Sequence, residues 1–177
     1  MSFPQPYAGA SRAPAQTDTP LTQQFLTLTL GDELFALPIE HIREIIEFGG
    51  LTAIPMMPIF LRGVINLRGA VVPVLDLAVR FGREQTTIAR RTCIIIVEVE
   101  QDGTTQLLGI IVDAVNAVLT VEPRQVEPRP AFGARIRADF IAGILNQNEQ
   151  FIVILEIQQV LSVSEIADLI GVSAQAE

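Results

Sequence analysis

The sequence predicts a mainly β protein made of two similar halves, a barrel or sandwich rather than a parallel sheet. Three observations predict this. The chain is 49% hydrophobic, and Ile, Val and Leu dominate that fraction, with no Trp and one Tyr. Short apolar stretches alternate with turn residues along most of its 177 residues. The sequence also matches itself when slid along by 80 positions.

Residues 1–21 are rich in Pro, Ala, Ser, Gln and Thr, cannot bury a face, and are expected to form a flexible tail. Residues 25–30 alternate large apolar with smaller residues, the pattern of a half-buried strand. Gly31-Asp32 turns the chain, and residues 34–37 return as the second arm of a hairpin. Apolar residues at 39, 42, 45 and 46 predict a short helical turn running into an extended piece. Pro55 and Pro58 interrupt regular structure after it. Residues 63–66 and 70–75 predict a strand–turn–strand, and residues 92–100 and 106–112 a hairpin around Asp102-Gly103. A Pro- and Arg-rich loop is expected over 122–135, then a hairpin from 141–145 and 150–155. Residues 162–170 look helical, with Ser164 as a cap, so 163–177 is expected to be a C-terminal helix and tail.

At the offset of 80 (143 − 63), Gly63-Val64-Ile65-Asn66 falls on Gly143-Ile144-Leu145-Asn146, Phe60 on Phe140, and Asp76 on Glu156. At an offset of 73 (109 − 36), Ala36, Ile39, Glu40, Ile42 and Ile45 fall on Gly109, Val112, Asp113, Val115 and Val118. Two β subdomains are therefore expected within 22–162, divided near 85–92. Features present in both copies belong to the fold. Gly63/Gly143 and Asn66/Asn146 read as tight-turn positions, and Asp76/Glu156 as a cap or ion pair after the strand. Leu67-Arg68-Gly69 faces Gln147-Asn148-Glu149, so Arg68 has no basic counterpart. An arginine at a hairpin tip offers a planar multi-donor fork, suited to a partner's carboxylate or to a neighbouring acid of its own chain.

The formal net charge of −8 argues against nucleic acid and against anionic lipid. No apolar run reaches the roughly eighteen residues of a membrane span, and the start lacks a signal-peptide pattern, so a cytoplasmic location without membrane insertion is expected. Cys93 is the one cysteine and excludes an intrachain disulfide; it reads as a small core residue on a buried strand. His41 is the one histidine, too few for a zinc site with a single Cys. No nucleophile context and no phosphate loop is present, and Glu98 and Glu100 read as the solvated face of a strand. No catalytic residue, metal or cofactor is expected.

The run Pro55-x-x-Pro58-x-Phe60-Leu61-Arg62-Gly63-Val64-Ile65-Asn66-Leu67-Arg68-Gly69-x-Val71-Val72-Pro73-Val74-Leu75-Asp76-Leu77 resembles the signature of CheW-like chemotaxis coupling proteins. The resemblance extends over roughly 23–162, through 24–46, 108–115 and 143–160. It implies two intertwined five-stranded β-barrels of SH3-like type around a shared core. It also implies a non-catalytic adaptor joining the cytoplasmic tips of chemoreceptors to a CheA-type histidine kinase, through that kinase's related regulatory domain. Arg68, Ile42, Glu44 and Gly63 would then lie in or near the partner-binding surface, Ile42 as an apolar anchor and Arg68 and Glu44 as polar registers around it. The same adaptor role in a pilus-based system (twitching or phototaxis) is the nearest alternative. A small-molecule-binding or enzymatic β-barrel is the remote one. Pro38 and the long Pro-rich tail depart from a minimal coupler.

Overall fold

The computed structural model describes residues 21–162, apart from 102 and 130–135, together with Glu165. The expected N-terminal tail, save Leu21, and the expected C-terminal helix, save Glu165, lie outside the described residues.

Eleven strands carry the described fold: β1 (Gln23–Leu30), β2 (Glu33–Pro38), β3 (Ile42–Glu47), β4 (Leu61–Leu67), β5 (Ala70–Asp76), β6 (Cys93–Gln101), β7 (Thr104–Val112), β8 (Ala114–Val121), β9 (Val126–Glu127), β10 (Ile141–Gln147) and β11 (Gln150–Leu155). A single helical turn closes each half: α1 (Leu77–Arg80) after β5 and α2 (Ile157–Val160) after β11. The predicted turn between β2 and β3 is a 3₁₀ segment, Ile39–His41. The loop expected over 122–135 also holds a 3₁₀ turn, Pro123–Gln125, and the short strand β9.

The strands form two sheets, ordered β8-β1-β2-β11-β10-β9 and β3-β6-β7-β5-β4. Each contains one parallel contact, β11 with β2 and β5 with β7, and the two contacts are in equivalent register. Ile154 pairs with Ala36, and Val74 pairs with Gly109. These are the two sequence offsets, 80 and 73, meeting at one point of each sheet. The repeats thus exchange parts. Each sheet combines the first two strands of one repeat with the third strand and closing hairpin of the other, and β9 adds an edge to one of them. Residues 85–92 lie between α1 and β6, and the strands β6 and β7 beyond them pair with β3 and β5.

The exchange follows from burial. Ile94 and Ile96 of β6 point into a cluster with Val72, Val74 and Ile111 inside one sheet. Ile95, Val97 and Val99 point the other way, into a larger cluster shared with Leu26, Leu28, Phe35 and Leu37 of the other sheet. A strand buried on both faces shows no polar alternation, which explains the continuous apolar run at 93–97. Phe25, Ala36, Leu145, Ile152 and Ile154 form the matching interior of the six-stranded sheet. The observed fold is therefore the expected mainly β pair of repeated units around a common core.

Candidate partner-binding face

The turn between β4 and β5 is fixed by its own side chains. Arg68 (φ 51°) and Gly69 (φ 88°) both take left-handed backbone, the handedness that matches a twisted hairpin. The Oδ1 of Asn66 accepts from the Gly69 N–H at 2.9 Å. Asn148 and Glu149 repeat the conformation at φ 52° and 67° in the second copy. The local backbone is therefore common to both repeats, and the arginine is particular to one.

That arginine reaches across to β3. Its Nη1 and Nη2 donate to Oε1 and Oε2 of Glu44 at 2.8 and 2.9 Å, a two-pronged ion pair. The Arg68 side chain remains 75% exposed and that of Glu44 23% exposed. Arg68 thus has the neighbouring acid of its own chain, and its side chain stands at the surface. On β3, Ile42, Glu44 and Ile46 are half-buried while Arg43, Ile45 and Glu47 are exposed. Arg43 pairs with Glu98 at 2.7 Å, beside the exposed Ile45.

Ile42 is not a free surface anchor. It packs, partly buried, against the shared core. Gly63 lies not in a tight turn but directly after a bulge in β4, which falls between Leu61 and Gly63. Its φ is 155°, and a Cβ there would stand 2.4 Å from the Thr52 carbonyl oxygen. Thr52 bridges Val64, with N–H to carbonyl bonds of 3.0 and 2.9 Å in the two directions. Gly63 therefore lets a neighbouring segment cross β4 at backbone distance. Gly143 sits at the matching bulge of β10, where a Cβ would meet Val126 Cγ1 at 2.6 Å. Of the four residues, the structure brings Arg68 and Glu44 into contact and leaves Ile42 and Gly63 in supporting positions.

Asp76 is fully buried and serves both as cap and ion pair. It accepts from Arg62 Nη1 (2.8 Å), Ala78 N (3.1 Å), Thr86 N (2.9 Å) and Thr86 Oγ1 (2.8 Å). It thereby fastens the segment between the repeats to the end of β5. Glu156 occupies the matching N-cap position without a side-chain cap bond. The shared main-chain link is closer than the side chains suggest: Asp76 N donates to Phe60 O at 2.7 Å, and Glu156 N to Phe140 O at 2.8 Å. Cys93 is half-buried, its Sγ 3.2 Å from the Arg91 carbonyl. Burial, and then the charge of Glu47, push its thiol up, away from the reactive thiolate.

No group of three or more His, Cys, Asp or Glu stands close enough to hold a metal among the described residues. Two exchanged β sheets thus present an ion-paired hairpin tip at the surface. The family model for the CheW-like domain matches residues 24–165, nearly all of the described chain. This chain belongs to the CheW-like family, whose members are non-catalytic scaffolds of chemotaxis signalling. It is 32% identical over 145 residues to the chemotaxis protein CheW of Klebsiella aerogenes, covering 82% of this chain and 85% of that one. Identity is 34% over 143 residues to the probable chemotaxis protein CheW of Rhizobium etli, covering 81% and 90%. The crystal structure of the scaffolding protein TtCheW from Thermoanaerobacter tengcongensis matches with a TM-score of 0.72 at 34% identity, covering 80% of this chain and 89% of that chain.

Proposed function

We propose that this scaffold couples the cytoplasmic signalling tip of a chemoreceptor to the regulatory domain of a CheA-type histidine kinase, and that Arg68 and Glu44 mark a contact face. The observation that carries the reading is the Arg68–Glu44 pair. It is held in a rigid two-pronged geometry yet left three-quarters exposed on the arginine side. A guanidinium fixed at a hairpin tip presents its charge without first losing side-chain freedom, which lowers the cost of ordering it in a complex. Ile42 and Gly63 act indirectly, by seating β3 on the core and by setting the path of β4. No helix among the described residues is long and apolar enough to cross a membrane. The proposed place of action is the cytoplasm, with recruitment to receptor arrays through the partners.

Reconstitution tests this. The protein is mixed with a receptor signalling fragment and a cognate kinase, and ternary complex and kinase activity are measured. Binding to neither partner refutes the proposal. A second reading places the same role in a pilus-based system. It is favoured by 28% identity over 143 residues to Protein FrzA of Myxococcus xanthus, covering 78% of this chain. Running the assay against kinases of both systems, and asking which one supports a ternary complex, separates the two.

A further inference from the structure

Arg80 is buried where the two repeats meet. It ends α1, and its side chain is 6% exposed. Its guanidinium carbon lies 5.1 Å from the ring centre of Phe60 and 4.8 Å from that of Phe140, the two residues that the repeat equates. Its Nε donates to the carbonyl of Val160 at 2.8 Å. Val160 ends α2 and is the counterpart of Arg80 itself at the same offset of 80. The arginine thus bridges equivalent points of both halves, and cation–π contact offsets part of its desolvation.

One edge of this guanidinium remains. Arg80 Nη2 is buried and makes no hydrogen bond. What it faces is Oε1 of Glu165, 3.2 Å away and outside hydrogen-bond alignment. Arg137 approaches the same oxygen: its Nη1 donates to Glu165 Oε1 at 2.7 Å. The other edge of Arg137 is taken by Asp139, through Nε at 3.1 Å and Nη2 at 2.7 Å. The Arg137 guanidinium also lies 4.5 Å from the Phe140 ring centre. Two guanidiniums therefore converge on one carboxylate oxygen over an aromatic floor. Arg137, more than Arg80, holds the Glu165 carboxyl below the usual range.

We infer that Arg80 and Arg137 form a carboxylate-binding site at the junction of the repeats, which Glu165 fills in cis and which an acidic polypeptide segment of a partner fills by displacing it. The physical case rests on Arg80. Without Glu165, Arg80 keeps only the weaker attraction of Asp139, and an under-compensated buried cation is costly, so loss of Glu165 creates demand for another carboxylate. Nothing equivalent holds at the hairpin tip, where Arg68 stands in water whether paired or not. Glu165 is 33% exposed, so the occupant sits at the mouth of the site and can be exchanged without opening the core. The site lies apart from the Arg68 face, and its test does not depend on the coupling proposal.

The experiment uses the full chain and a labelled peptide copying residues 162–177. Fluorescence anisotropy follows peptide binding to wild type and to Glu165→Ala. The Glu165→Ala chain is expected to bind at least about tenfold more tightly, because the tethered carboxylate no longer competes at its high effective concentration. A peptide with Gln in place of Glu165 alone should not bind, and adding Arg137→Gln to the Glu165→Ala chain should abolish binding. Equal binding to both chains, or equal binding of the Gln peptide, overturns the inference. If Glu165→Ala does not fold, the wild type answers the question by NMR. Excess Glu peptide must shift the Nε–H resonances of Arg80 and Arg137 while the Gln peptide must not, and absence of that difference overturns the inference equally.

Discussion

Arg68 and Glu44 join strands at opposite ends of one sheet. Glu44 lies on β3, the first strand in the order β3-β6-β7-β5-β4, and Arg68 lies on the turn leading out of β4, the last. The pair therefore brings the two free edges of a curved sheet together at the surface. A contact that helps close the sheet is also one a partner can read, and the two roles separate by mutation.

Replacing Arg68 should weaken partner binding and barely change stability. An exposed pair contributes at most about 1 kcal/mol. Arg68→Asn is the cleaner variant, since Asn suits the left-handed first position of this turn. Its melting temperature should stay close to wild type while pull-down of receptor or kinase falls. The reversed pair, Glu44→Arg with Arg68→Glu, should likewise leave stability close to wild type without restoring binding. A large drop in melting temperature for Arg68→Asn would assign the arginine to the fold instead.

The bulge glycines should behave differently from each other. At Gly63 a methyl group meets backbone, the Thr52 carbonyl at 2.4 Å, at a φ of 155°. Gly63→Ala should cost at least about 3 kcal/mol in urea unfolding. At Gly143 the nearest obstacle is a side-chain methyl of Val126, with the Glu127 carbonyl at 3.1 Å. Side chains yield more readily than backbone, so Gly143→Ala should cost about 1–3 kcal/mol. The opposite ranking would mean that the crossing at Thr52 is the softer of the two.

Much of the fold was legible because it is local or repeated. The hairpins carried their turn residues, and the offsets of 80 and 73 located what proved to be the paired positions of the two parallel contacts. Strand β8 was not read, because its burial does not alternate: Ala114 and Val121 are buried, while Asn116, Ala117 and Val118 are exposed. The exchange of strands was not legible either. It depends on β8 pairing with β1 and β3 with β6, and nothing local records a partner so far along the chain. Arg68 stood out by lacking a counterpart, but its pairing with Glu44 did not. Arg80 was missed entirely. The signal existed, a cation placed where the repeat puts Val160, and only the packing of Phe60 and Phe140 gives it meaning.

Asp76 and Glu156 test whether equivalence in sequence is equivalence in energy. Asp76→Asn would replace a fully buried acceptor of four donors and leave Arg62 without its counter-charge. The expected loss is about 3 kcal/mol, read as a fall in the urea midpoint. Glu156→Gln removes a side chain with no cap bond and should stay within about 0.5 kcal/mol of wild type. Similar losses at both positions would show that the caps act through the backbone links to Phe60 and Phe140 rather than through the carboxylates.

The cluster at Arg137 predicts a specific acid response. Glu165 and Asp139 are both held below their ordinary values of 4.5 and 3.8, in each case first by hydrogen bonds from Arg137. Folding therefore favours their ionised forms. The stabilisation is complete above the ordinary values and is lost as pH falls through the lowered, folded values. Wild type and Arg137→Gln should differ most near neutral pH. Their urea midpoints should converge as pH falls below about 4.5, where Glu165 and then Asp139 protonate in the unfolded chain. The three side chains are a third to a half exposed, so added salt should shrink the gap at neutral pH. A gap that stayed constant down through acid would mean that Arg137 stabilises by packing on Phe140 rather than by its two carboxylates.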